Sequence, residues 1–142
     1  RQGIEQGQSP FGACIVRDGE ILSCSHNSVI ADRDTTAHAE VNAIRRACKK
    51  LDAIDMTGAT IYSTCEPCPM CFSACHWAKI STIVYGAAIS DAQANGFSEL
   101  IISDQKLNDI SNAGIKIVPD FMRDQCVKLF EIWAQREDKQ VY

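Results

Sequence analysis

The sequence predicts an α/β fold, a three-layer sandwich in which a five-stranded mixed sheet opens with an antiparallel hairpin, is otherwise largely parallel, and carries helices on both faces. Three observations support this. Two short apolar runs flank Asp18-Gly19, the two-residue signal of a tight hairpin. From Ala59 onward, strand-like and helix-like segments alternate. Connections long enough to contain a helix favour parallel pairing and place the crossovers on the two faces of the sheet.

The elements follow in order. Phe11 to Arg17 (FGACIVR) and Glu20 to Ser25 (EILSCS) form the hairpin. Residues 27–36 are polar and end in Asp34-Thr35-Thr36, good N-cap chemistry, before a helix over Ala37 to Leu51. There Val41, Ile44, Cys48 and Leu51 recur at helical spacing and predict one buried face. Ala59 to Ser63 reads as a short strand, and the chain passes through Thr64-Cys65-Glu66 into a helix from Pro67 to Ala78. Pro67 and Pro69 fit that helix because they fall in its first turn, where the amide has no intrahelical partner to lose. Thr82 to Gly86 is a further apolar strand, Ser90 to Ser98 a loop without clear period, and Ser103 to Asn112 a weak helix stopped by Gly114. Ile115 to Val118 is the last strand. Asp120 to Arg136 is an amphipathic helix carrying Phe121, Met122, Leu129, Phe130 and Trp133.

With 142 residues, 46% hydrophobic and 23% charged, residues 1–142 are the size of a single domain with one core and one site. No apolar run approaches the roughly 18 residues of a membrane span, and no secretion pattern opens the chain, so a cytoplasmic protein is expected. The first residues (RQGIEQGQ) begin in mid-pattern, and an N-terminal helix is expected to have been truncated. Net charge is −4. The obvious basic cluster, Arg45, Arg46, Lys49 and Lys50, falls in the last turns of a predicted helix, where cations complement the dipole and stay solvated. Nucleic acid is disfavoured as a partner, because tracking a phosphate backbone needs a broader basic surface.

Eight cysteines are a high count. Cys65, Cys68, Cys71 and Cys75 crowd together, which points to metal, whereas Cys14, Cys24, Cys48 and Cys126 lie in apolar segments and are expected to be small core residues. Cys68 and Cys71 are three apart at a helix start and can present two sulfurs to one ion; His38 opens the other helix and can aim at the same point. Two thiolates and an imidazole give zinc three ligands and leave a fourth position for water, the pattern of a catalytic site. Glu40, also in a first turn, can stand beside that water as the proton carrier.

His38-Ala39-Glu40 followed by Pro67-Cys68-Pro69-Met70-Cys71 is the signature H-x-E…P-C-x-x-C of zinc deaminases. The chain resembles the cytidine deaminase superfamily, in the branch that holds guanine deaminases, tRNA adenosine deaminases and cytosine-type deaminases. Ser9-Pro10-Phe11-Gly12-Ala13, Asn27, Thr36 to Val41, Cys65 to Cys71, Trp77-Ala78, Asn95-Gly96-Phe97 and the tail from Trp133 to Tyr142 are similar to bacterial guanine deaminases. The resemblance implies one zinc ion per chain, held by His38, Cys68 and Cys71, with Glu40 moving protons and a small nucleobase or nucleoside as substrate. It implies that Asn27 bonds a ring carbonyl or imine and that Phe97 lines the base pocket. Tyr142 would close a site in a homodimer with exchanged C-terminal segments. Phe11 and Ala39, inside matching motifs, join the substrate set. Glu99 stands where guanine deaminases carry Asp, so a longer carboxylate would meet guanine's amide-like edge. tRNA-specific adenosine deamination and cytosine-type deamination are the alternatives within the class.

One reading belongs to another class. Cys65, Cys68, Cys71 and Cys75 also have the spacing of a ferredoxin run, which would make an iron–sulfur protein. The absence of a second run, the His76 that follows where Pro is expected, and the unexplained His38-Ala39-Glu40 weigh against it.

Overall fold

A computed structural model describes residues 1–141. Asp18 and Gly19 both take positive φ, 53° and 78°, as the tight hairpin turn requires. They join β1 (Gly12–Arg17) to β2 (Glu20–His26). β3 (Thr60–Cys65), β4 (Thr82–Ala87) and β5 (Lys116–Val118) complete one sheet in the order β2-β1-β3-β4-β5. β1 is antiparallel to both β2 and β3, while β3, β4 and β5 run parallel, so the expected fold class holds.

The two faces are filled differently. On one, α3 (Ala39–Leu51) lies over β1 and β2, and α4 (Pro69–Trp77) packs between α3 and α6 (Asp104–Ser111). Ile15, Ile61 and Ile83 of the sheet meet Ala43, Ala47 and Phe72 of these helices. The buried stripe of α3 is centred on Ala39, Ala43 and Ala47, with Ile44, Cys48 and Leu51 at its margin. The apolar spacing placed the stripe one row away from this, because alanines let the helix sit close to the sheet and leave the larger residues to fill its flanks. On the other face, α7 (Arg123–Ala134) lies over β4, and Phe130 and Trp133 join Phe97, Ala87 and Cys65 in a second cluster. Gly86 permits that approach, since a Cβ there would stand 2.3 Å from Cys126 Sγ.

Several elements differ from the sequence expectation. α1 (Gln2–Glu5), α2 (Val29–Asp32) and α5 (Ile89–Ala94) are short helices in stretches without helical periodicity. α5 is held by Asp91, which accepts the Ala88 amide at 2.8 Å and pairs with Arg123 of α7 at 2.8 Å. The Asp34-Thr35-Thr36 stretch does not cap α3: Asp34 Oδ1 accepts the Thr36 amide and hydroxyl within its own loop, and the N-cap is His38. Cys14 and Cys24 are not free core residues; directly opposed across β1 and β2, they form a disulfide. Cys48 and Cys126 of that group are free thiols but, where small core residues were expected, stand half-buried at the margins of the two clusters.

At the first residue of α6, the Asp104 side chain is fully enclosed, and neither carboxylate oxygen meets a hydrogen-bond partner among the described residues. Burial, reinforced by Glu66 nearby, pushes its pKa up to about 8. Between the ordinary carboxylate range and that value, the folded chain keeps a proton that the unfolded chain has released. Stability therefore falls as pH rises through this window and levels off above it. Asp104→Asn is expected to leave the melting temperature nearly unchanged near pH 4.5 and to raise it by several degrees at pH 8.5, read from thermal melts at both pH values; an equal shift at both would contradict the buried carboxyl as the source.

Candidate active site

Two helices begin at the same place. His38 is the N-cap of α3 and Cys68 the N-cap of α4, both extended (φ −66°, ψ 155° and φ −67°, ψ 166°), so each side chain projects past its helix end. Pro69 at the first position of α4 costs no intrahelical bond. Cys71 follows within that first turn. His38 Nδ1 lies 3.6 Å from both Cys68 Sγ and Cys71 Sγ, and the three donor atoms all fall within 4.8 Å of one another. A tetrahedral ion with Zn–N of about 2.0–2.1 Å and Zn–S of about 2.3 Å separates nitrogen from sulfur by about 3.6 Å. The donor set and its spacing therefore fit zinc.

The electrostatics match that use. A hydrogen bond from Cys71, with His38 beside it, holds the Cys68 thiol down to about 4 despite burial. The same bond to Cys68, together with burial, raises the Cys71 thiol. Burial pulls the His38 imidazole down, but its bond to the Cys68 sulfur and the neighbouring carboxylates outweigh this and raise it. Glu40, in the first turn of α3, is buried; its Oε1 accepts Ser63 Oγ–H at 2.5 Å and its Oε2 accepts the Cys71 thiol at 3.4 Å. Burial raises the Glu40 pKa against the opposing pull of Ser63. A carboxyl inclined to hold a proton, fixed at one oxygen and adjacent to a ligand sulfur at the other, is suited to carrying that proton.

Phe11, His38, Glu40, Cys65, Glu66, Cys68 and Glu99 line a cleft whose free space is about 20 Å³. That is room for about one water, so a ring enters only if the lining parts. Glu99 faces the cleft opposite the ligand turn, and burial with the Cys68 charge raises its pKa. Phe97 stands behind Phe11, ring centroids 4.8 Å apart, and is backed by Trp133 at 4.8 Å. Ala39 is fully buried at the start of α3. Asn27 is fully buried; its amide donates to Phe11 O at 3.0 Å and its Oδ1 accepts the Val29 amide at 3.1 Å, which ties it to Phe11 and also to its own turn. Tyr142 lies outside the described residues. Sequence reasoning gave no role to Ser63, whose one signal was a hydroxyl at an inward position of an apolar strand, or to Cys65 and Glu66 as cleft lining. The iron–sulfur arrangement does not form: Cys75, on α4, turns into the core, Cys65 lies in the cluster with Phe97, and neither joins the three donors.

Residues 1–87 match the cytidine and deoxycytidylate deaminase zinc-binding region. The guanine deaminase of Bacillus subtilis is 45% identical over 102 residues, 71% of this chain and 65% of that protein, so the chain spans just under two thirds of this relative's length. The tRNA-specific adenosine deaminase of Buchnera aphidicola is 34% identical over 125 residues, covering 88% of this chain and 80% of that one. The solved guanine deaminase of Nitrosomonas europaea superposes with a TM-score of 0.85 at 26% identity, covering 96% of this chain and 79% of that one.

Replacing His38 or Cys68 by Ala is expected to lower bound zinc at least tenfold by elemental analysis and to lower the melting temperature in parallel, because binding is linked to folding. Full zinc content in either variant would remove that residue from the ligand set.

Proposed function

The chain belongs to the cytidine and deoxycytidylate deaminase family, and from that premise we propose that it is a zinc-dependent hydrolytic deaminase whose substrate is free guanine, converted with water to xanthine and ammonia. The observation that carries this reading is the placement of two carboxylates, Glu40 and Glu99, around one His/Cys/Cys donor set in a single cleft. The 45% identity to a guanine deaminase supports the choice of base.

His38, Cys68 and Cys71 would hold one zinc ion per chain, which when bound would supply a water acidic enough to act as a nucleophile near neutral pH. Glu40 takes a proton from water at the oxygen nearest Cys71 and delivers it to a ring nitrogen, while Ser63 keeps the carboxylate from turning away. The water oxygen forms a C–O bond at the amino-bearing carbon as the ring nitrogen takes that proton; the C–N bond then breaks as Glu40 transfers the remaining proton of the new hydroxyl to the departing amino group, leaving a carbonyl and ammonia. Phe11 and Phe97 cover the ring and exclude water from its face. Glu99 accepts from the N–H edge of guanine, and Asn27 and Ala39, buried behind the cleft lining, join the site as that lining parts to admit the ring. The chain acts as a homodimer in purine metabolism in the cytoplasm.

Adenosine in tRNA is the second reading, favoured by the 88% coverage of this chain by a tRNA-specific relative. A net charge of −4 speaks against it, since phosphate contacts rely on Lys and Arg.

Ammonia release measured over guanine, cytosine, adenine, their nucleosides and a tRNA is expected to be fastest with guanine; preference for tRNA would replace the first reading by the second. Glu40→Ala is expected to keep zinc and lose about 10²–10⁴-fold in kcat, and near-normal turnover would end the proton-carrier assignment. Glu99→Gln should raise KM for guanine about tenfold or more, because the amide presents a donor to a donor edge; unchanged KM would place the base elsewhere.

A further inference from the structure

Glu66 sits between the strand end Cys65 and the ligand turn at Cys68, and the mechanism above gives it no task. Its carboxylate is buried and accepts three hydrogen bonds. Tyr85 Oη and the Asp104 amide donate to Oε1 at 3.2 and 3.0 Å, and the Ile89 amide donates to Oε2 at 3.1 Å. Ile89 and Asp104 are the first residues of α5 and α6. Amides at such positions have no partner within their own helix and stand at the positive end of its dipole. One carboxylate therefore satisfies two helix starts at once.

Between those helices, residues 95–103 form neither helix nor strand and carry Phe97 and Glu99. Phe97 is gripped by the rings of Phe11 and Trp133, but beyond Glu99 the side chains of Leu100 and Ile101 are exposed. Glu99 is thus located by the ring cluster on one side and, on the other, by the point where Glu66 holds Asp104.

We propose that Glu66 is a positioning residue for the reaction: by binding the first amides of α5 and α6 from the strand that leads into the ligand turn, it holds Phe97 and Glu99 over that turn and so sets the selectivity for the base. This rests on Glu99 being the base contact. Two substitutions interrupt the clamp by different means. In Glu66→Gln the side-chain NH₂ replaces one oxygen; if it stands at Oε2 it faces the Ile89 N–H, and if at Oε1 the Asp104 N–H, so either orientation leaves one helix-start amide unpaired. Asp104→Pro removes the donor without touching Glu66; proline is accommodated at the first helical position, and Ser103 before it is already extended (φ −67°, ψ 151°). Asp104→Asn deletes the same carboxylate but keeps the amide, and is the control.

The experiment uses the zinc-loaded chain and reads zinc content, hydrogen exchange over residues 89–104, and KM and kcat for guanine. Glu66→Gln and Asp104→Pro are expected to retain zinc, to exchange faster across residues 95–103, and to raise KM about tenfold with a smaller change in kcat. Asp104→Asn is expected to match the wild type in zinc content, KM and kcat and to exchange no faster across residues 95–103. Identical behaviour of the Pro and Asn variants, or loss of zinc from Glu66→Gln in step with its activity, would overturn the proposal. If Glu66→Gln does not fold, the Pro and Asn pair decides alone. If the wild type releases no ammonia from guanine, the choice of base fails, while the exchange comparison still decides whether Glu66 holds the segment.

Discussion

The structure depends on two helix N-termini meeting at one point. His38 and Cys68 are both N-caps, so their side chains extend beyond the helices into space that neither helix occupies, and Cys71 reaches the same space from the first turn of α4. Nothing local brings them together. They meet because α3 and α4 pack side by side on one face of the sheet, each entering from the same end of it. The alanine stripe of α3 is part of this device: Ala39, Ala43 and Ala47 let the helix lie low over the sheet, which sets the height at which its N-terminus stands.

A consequence is the concentration of acid around that point. Burial leads an upward pKa shift at Glu40, Glu99 and Asp104; Glu99 and Asp104 also feel Glu40, and Asp104 feels Glu66. Buried carboxyls of this kind are costly unless they are bonded or protonated. Glu66 is bonded three times, Glu40 is held by Ser63 and Cys71, and the Asp104 carboxyl meets no partner among the described residues and keeps its proton into the neutral range. The site thus combines a firmly held carboxylate, a carboxyl poised to exchange its proton and a neutral one, distinguished only by what surrounds each.

The opposite face of the sheet serves the site less directly. Phe97, Phe130 and Trp133 form a ring cluster that backs Phe11, so α7 reaches the cleft through two layers of aromatic contact. That contact requires α7 to sit tightly on β4, and Gly86 is where any side chain on the strand would collide with Cys126 of α7. The β1–β2 hairpin contributes from its open end, where the Asn27 amide bonds Phe11 O, three residues from the Cys14–Cys24 disulfide on each strand.

Much of this was legible in the sequence because it is written in short-range chemistry. Asp18-Gly19 specifies a hairpin turn by its tolerance of positive φ, the strand and helix alternation specifies the parallel half of the sheet, and the spacing of Cys68 from Cys71 and of His38 from Glu40 specifies what each helix start offers. Other features could not be read that way. The Cys14–Cys24 bond depends on the cross-strand register, the short helix at Ile89–Ala94 on bonds to Arg123 and Glu66 from distant parts of the chain, and the role of Ser63 on which face of β3 meets α3. The candidate donors and the candidate proton carrier were therefore nameable from sequence alone, since residue type and local spacing define donor chemistry. Their convergence, and the enclosure that separates Glu40, Glu66 and Asp104 from one another in behaviour, were decided only by tertiary packing, which sets distance and exposure between residues that the chain itself keeps far apart.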